Sequence, residues 1–464
     1  MRSITLILFL FACFLQAISQ TIPAEHNYAR NSPGVVMVQT VFSATVYVNK
    51  VEINDQRFDK LVDSVKRLDT SGTMMTAGEK LDIVVNALYK NPLRYFRATT
   101  QYLRQQHRII GNGTGFFITG DGYVITNCHV VDRDSAFIRQ KFTISTFQEV
   151  TDANIEALQS SWAMTLTDEQ RNLLYNSYSL IYSQLSSMIL FDLEKEVYVI
   201  YRADNGESKP FSVKKPAEVV VKGKAMPGKD VAILKIKDVK ELPTLEISTD
   251  SLVGIGSRVF VFGYPQPATG NVFLSSESGN DPTLTAGIVS AIRQSIGGWP
   301  VIQMDAVITH GSSGSPVSNE SGKVIGLATF GSLEQKTGTL SSAYNFAIPN
   351  SVVWEFINAA GVTPEMSRAS NLYNDALDYY FNGYYKKARR KFLAVQEVNG
   401  NYPQLHFYLA LCENKITAGE DRESTTRREI FRIAGLIVIV GGIYLIFRRR
   451  RHLHAVRRNK DAAD

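Results

Sequence analysis

Between residues 35 and 348 the chain is punctuated by short runs of β-branched and aromatic residues, each closed off by Gly, Pro, Asn, Asp, Ser or a charged residue. The runs are Val35 to Val38, Thr114 to Ile118, Tyr123 to Thr126, Val197 to Tyr201, Val219 to Val221, Val231 to Ile236, Arg258 to Phe262, Thr285 to Ser290, Val324 to Thr329 and Tyr344 to Ile348. Strands this short bury few side chains each and need partners on both edges, so the pattern predicts a mainly β barrel or sandwich. Two stretches break it. In residues 53–107 and 150–192 apolar residues recur at helical spacing, as at Leu158, Trp162 and Leu166, then Leu173, Leu174, Tyr178 and Ile181, which predicts helical insertions.

The chain has 464 residues, enough for two or three domains, and its 44% apolar content sets disorder aside as the default. The net charge of +6 sits at one end. Residues 448–464 carry seven Arg and Lys against Asp461 and Asp464, which leaves the rest near +1 and argues against a nucleic-acid-binding body. Ahead of this basic tail, Ile433 to Phe447 is uncharged, and the run extends to Ile430 if Arg432 reaches the interface. An 18-residue helix over 430–447 rises about 27 Å, close to a hydrocarbon core of roughly 30 Å. Four arginines directly after it fit a cytoplasmic flank, so a single membrane span is expected. At the other end, residues 1–19 combine Arg2, an apolar run from Ile4 to Leu15 and small residues near Ala17, the pattern of a secretory signal peptide; an uncleaved anchor is the alternative. The body would then lie outside the cytosol, in the periplasm if the host is Gram-negative. Without residues 1–19 only Cys128 and Cys412 remain, too few for a disulfide scaffold.

Three elements carry candidate chemistry. His310-Gly311-Ser312-Ser313-Gly314-Ser315-Pro316 is a turn in which glycines permit unusual backbone angles and the N–H groups of Gly311 and Ser313 can converge on one developing oxyanion. His129 follows a hairpin, Gly115 to Thr126, in Asn127-Cys128-His129-Val130-Val131. Asp230 directly precedes the strand Val231 to Ile236. A serine hydroxyl is a weak nucleophile at neutral pH and needs a base, and the base needs an acid to fix its tautomer.

Order and flanks together resemble the trypsin-like serine peptidases of chymotrypsin fold, in the HtrA/DegP-type branch. The resemblance covers residues 30–360 and rests on Gly113-Thr114-Gly115-Phe116, Gly122 to Val131, Asp230-Val231-Ala232-Ile233-Leu234, Gly263-Tyr264-Pro265, Thr285 to Ser290, Gln303-x-Asp305-Ala306, Gly311-x-Ser313-Gly314-x-Pro316, Val324-Ile325-Gly326-Leu327 and Asn345 to Pro349. It implies two packed β-barrels, Ser313 as nucleophile, His129 as base then acid, Asp230 as orienting acid, and the Gly311 and Ser313 N–H groups as oxyanion hole. Polypeptides would be the substrates, and no cofactor or metal is implied. His310, Ser312 and Ser315 depart from the HtrA-type loop. An uncharged Ser312 cannot pair with a new N-terminus as the acid of digestive relatives does, so activity should not require a cut near residue 33. Val307 occupies the position that selects basic side chains in trypsin, and an apolar group there predicts an apolar residue before the scissile bond. Thr329-Phe330-Gly331 resembles the strand that pairs with extended substrate.

No PDZ-like pattern follows the protease region. Leu372, Ala376, Tyr379, Gly383, Tyr385, Ala388 and Phe392 instead have tetratricopeptide spacing within 368–415, with a third helix expected from Pro403 to Cys412; a generic amphipathic pair is the other reading. These helices could bind a protein partner, and a homo-oligomer is compatible with the chain. Two functions remain: a membrane-tethered serine endopeptidase, or a catalytically silent scaffold built on the same barrels.

Overall fold

Strand pairing closes two barrels of six strands each, with every ladder antiparallel. The computed structural model describes residues 22–70, 74–185, 187–206, 211–249, 253–266, 281–333, 340–422 and 435. After helix α1 (Ala24–Asn31), the chain runs through β1 (Val35–Ile53), α2 (Asp55–Thr70), α3 (Ala77–Lys90), α4 (Pro92–Tyr95), β2 (Phe96–Phe117), β3 (Tyr123–Thr126) and α5 (Cys128–Val131). Helices α6 (Ser135–Trp162) and α7 (Asp168–Leu185) precede β4 (Met188–Ala203), β5 (Phe211–Lys222) and β6 (Ala232–Ile236). The second barrel holds β7 (Arg258–Gly263), β8 (Thr283–Gln294), β9 (Pro300–Met304), β10 (Pro316–Ser318), β11 (Val324–Leu333) and β12 (Leu340–Pro349). Helices α8 (Asn350–Ala359), α9 (Arg368–Phe381), α10 (Tyr385–Val398) and α11 (Leu405–Thr417) follow.

The seam between the barrels is apolar. Val35, Phe116 and Ile233 from the first meet Phe260, Phe262 and Leu327 from the second, and Val353 and Ile357 of α8 close the cluster. Removing such side chains from water is the main stabilising term, about 1.5–3 kcal/mol for each.

The insertions differ from expectation at their edges. Residues 96–107 are strand, not helix: β2 pairs with β1 from Ile53↔Phe96 to Val35↔Phe116. Phe96 and Leu103, seven residues apart, mimic two helical turns, but the open edge of β1 captures this segment's backbone groups. Helix α6 starts at Ser135, well before residue 150, with the Asp134 carboxylate accepting from the Ala136 N–H at 3.1 Å. Its buried face includes Ile138, Phe142, Thr146 and Val150, a four-residue rhythm partly disguised by β-branched neighbours. The second insertion ends at Leu185, and residues 188–192 already belong to β4, where Met188 to Phe191 pair with Val48 to Thr45 of β1. Strands β9 and β10 add to the runs that the sequence marks; β10 has only three residues and β9 begins at a proline, so neither forms a clear run of its own.

Together β1, β2 and β4 overshoot the first barrel as a ribbon, on which α2–α4 and α6–α7 build a lobe with its own core. Val48, Val85, Leu88, Phe96, Leu174 and Tyr178 lie in that core. Helix α3 is fixed at its start by a reciprocal cap between Thr76 and Glu79.

Helices α9–α11 bury Tyr373, Ala376, Ala388, Phe392 and Leu405 against one another, and Gly383 turns α9 into α10 at φ +80°. One helical hairpin cannot cover its apolar face alone. Here α1 covers it, with Ala29 in the cluster and His26 stacked on Phe381 at 4.4 Å. The Thr244 N–H donates to Ser370 Oγ at 2.8 Å and Asn399 Nδ2 to the Glu241 carbonyl at 3.0 Å, tying these helices to the barrels. No helix of the described residues is long and apolar enough to cross a membrane. The expected span at 430–447, Gly435 apart, and the expected signal peptide and basic tail lie outside those residues.

Candidate active site

Antiparallel pairing of β3 with β6 sets Thr126 opposite Ala232, so the exit of one strand adjoins the entry of the other. His129, one turn beyond β3, therefore meets Asp230, just ahead of β6. Asp230 Oδ2 lies 2.6 Å from His129 Nδ1, and Oδ1 accepts from the His129 backbone N–H at 2.8 Å. Thr329 Oγ1 donates to Oδ2 at 2.8 Å, while Asn127 Nδ2 donates to the Asp230 carbonyl at 2.8 Å. Asp230 is fully buried, and His129 and Thr329 satisfy its two carboxyl oxygens. Asp230 in turn fixes which face of the imidazole points outward.

Neighbouring Cys128 is not a competing nucleophile. Burial, reinforced by the nearby Asp230 and Asp132, pushes its thiol up to about 11, and Sγ donates to the Gly223 carbonyl at 3.3 Å.

The Ser313 turn comes from the loop between β9 and β10 of the other barrel, and Thr114 of β2 holds it across the seam. The Thr114 N–H donates to the Ser313 carbonyl at 2.8 Å and Thr114 Oγ1 to the Gly311 carbonyl at 2.7 Å. Gly314, at φ +89°, packs so closely that a Cβ would collide with the Thr114 carbonyl; at Gly311, φ +92°, it would collide with that of Tyr264. The His310 carbonyl accepts from the Gln266 N–H at 2.6 Å. In a trans peptide this sends the Gly311 N–H the opposite way.

One cleft of about 670 Å³ brings together His129, Asp230, Gly311, Ser313 and Thr329. Within it Ser313 Oγ donates to the Thr329 carbonyl at 3.1 Å instead of to His129, so a rotation about χ1 separates this state from one ready for proton transfer. Thr329 thus grips Asp230 through its side chain and Ser313 through its backbone. Nothing in the local sequence signals that double role, because Asp230 is 99 residues away and Ser313 lies on a separate turn 16 residues back. Of Phe330 and Gly331 the structure describes the backbone, in register with Phe346 and Asn345 on β12. Val307 is not in the cleft with Ser313; it lines a second one of about 210 Å³ with Ser312, Thr285 and Thr309. His310 opens onto the first. Ser32, Pro33 and Gly34 are buried, which shields the chain near residue 33 from cutting.

Residues 190–327 match the family model described as a trypsin-like peptidase domain. That stretch holds Asp230 and Ser313 but starts after His129, and α6 and α7 lie between His129 and Asp230 along the chain. A probable periplasmic serine endoprotease, DegP-like, from Pseudomonas fluorescens is 34% identical over 145 residues, 31% of this chain and 27% of the relative. The chloroplastic Protease Do-like 1 of Arabidopsis thaliana is 35% identical over 129 residues, 26% of each. The chain thus spans about a quarter of the length of these curated relatives. Among solved structures, an HtrA-type protease AlgW with decapeptide aligns over 73% of this chain and 67% of its own, at 18% identity and a TM-score of 0.35.

Proposed function

We propose that the chain is a serine endopeptidase of HtrA/DegP type acting on extracytoplasmic polypeptides. The observation that carries this is the 2.6 Å contact of His129 with buried Asp230, in the same cleft as Ser313. In this mechanism Ser313 Oγ swings to His129, loses its proton to the imidazole and attacks the substrate carbonyl. The N–H groups of Gly311 and Ser313 stabilise the oxyanion. The imidazolium, held by Asp230, protonates the leaving amine as the acyl-enzyme forms. Water, activated by His129, then releases the acid and regenerates Ser313.

An apolar side chain before the scissile bond, received near Val307, belongs to the same proposal, as do a tether at 430–447, export by residues 1–19 and partner binding by a tetratricopeptide-like 368–415 segment. Hydrolysis of a peptide library after Val, Leu or Ala, and not after Arg, is the outcome expected. A silent scaffold is the second reading, favoured by the Ser313 hydroxyl bonding Thr329 instead of His129. A fluorophosphonate probe separates the two: labelling that is lost in Ser313→Ala supports the enzyme, and no labelling of the intact chain supports the scaffold.

A further inference from the structure

The cleft that Thr329 of β11 lines is also lined by Arg133 and, at the start of α6, by Phe137 and Lys141. Arg133, four residues past His129, lays its guanidinium over the Phe137 ring at 5.4 Å from the centroid, and Lys141, one turn further along α6, approaches the same ring at 5.7 Å. Both cations line the cleft that holds His129 and Ser313. Among the described residues neither has a carboxylate partner. Arg133 also packs beside Gly111 of β2, half-buried, so its charge is only partly hydrated. Among the described residues the one carboxylate lining the cleft, Asp230, is engaged by His129 and Thr329. A shared aromatic ring attracts both cationic groups without neutralising them.

We infer that Arg133 and Lys141 form a subsite for an acidic side chain on the leaving-group side of the scissile bond. This rests on the protease reading above. In that reading the substrate upstream of the cut pairs with β11, so the departing segment, protonated by His129, passes along the opposite wall, from His129 towards Arg133. An Asp or Glu there gains a charge-assisted contact with a planar, unpaired guanidinium, whereas Lys meets like charge. Such a partly screened pair discriminates by about tenfold.

The test uses the intact chain in detergent and quenched fluorescent peptides with Leu before the cut and Glu, Gln or Lys at each of the three positions after it. Expected is a kcat/KM about tenfold higher for Glu than for Gln at one position, with Lys lower still. Arg133→Glu combined with Lys141→Glu should invert the order, favouring Lys, a gain that misfolding cannot produce. Equal cleavage of all three peptides, or an acidic preference that survives the double substitution, overturns the subsite while leaving the protease standing. Absence of cleavage together with absence of fluorophosphonate labelling overturns both.

Discussion

The two barrels share a strand count and differ in what they carry. In the first, β1 and β2 run 19 and 22 residues and β4 runs 16, overshooting the barrel to support a helical lobe. In the second no strand exceeds 12 residues, and the chain between β9 and β10 is spent on the Ser313 turn. Elaboration has thus been placed on the barrel that carries His129 and Asp230, beyond the seam, where a separate core supports it without disturbing the contacts among His129, Asp230 and Thr329. Among the described residues, the lobe's helices line the cleft through Phe137 and Lys141 in the first turns of α6.

The largest effect should come from substitutions at the seam, whichever barrel bears them. Asp230→Asn is expected to lower kcat/KM by about 10⁴-fold, since the imidazole then loses its tautomer and its counter-charge. Thr329→Val, on the other barrel, removes a donor to a buried carboxylate and should cost about ten- to a hundredfold, with the fold retained by circular dichroism. A wild-type kcat/KM in Thr329→Val would mean that the second barrel contributes only the nucleophile turn.

The independence of the lobe is tested by its core. Leu88→Ala should destabilise the lobe by about 2–5 kcal/mol, seen as an early, separate thermal step, while fluorophosphonate labelling persists. Phe262→Ala, in the seam, should instead lower the main transition and labelling together. If Leu88→Ala melts the molecule in one step, lobe and barrel are a single cooperative unit. The smallest effect concerns Cys128, next to His129. Its thiol is raised from an ordinary 9.0 to about 11, so the folded state binds the proton more tightly than the unfolded chain. Stability from this group is present below pH 9 and lost as pH rises towards 11. Cys128→Ala should flatten that alkaline decline and retain hydrolysis at neutral pH.

Local pattern made much of this molecule legible. Runs such as Tyr123 to Thr126 and Arg258 to Phe262 announce strands through β-branched and aromatic residues, and the helices of 368–417 announce themselves through apolar spacing. Gly311 and Gly314 mark a strained turn because only glycine tolerates their backbone angles. What stayed hidden depends on pairing across distance. Residues 96–107 read as helix until β1 takes their hydrogen bonds, and α6 begins earlier than its most visible apolar stripe. Val307 falls beside Ser312 in a second cleft, and Thr114 meets Gly311, and Thr329 meets Asp230, across more than ninety residues of chain.

By itself, then, the sequence indicated most of the strands and helices and their order, and offered a serine, a histidine and an aspartate near strands with suitable flanks. Tertiary structure decided the length of the ribbon, the seam that joins two barrels around one cleft, the resting direction of the Ser313 hydroxyl and the basic wall facing it. The reason is physical: propensity and periodicity act over a few residues, whereas register, burial and charge environment are set by whichever distant segments pack together.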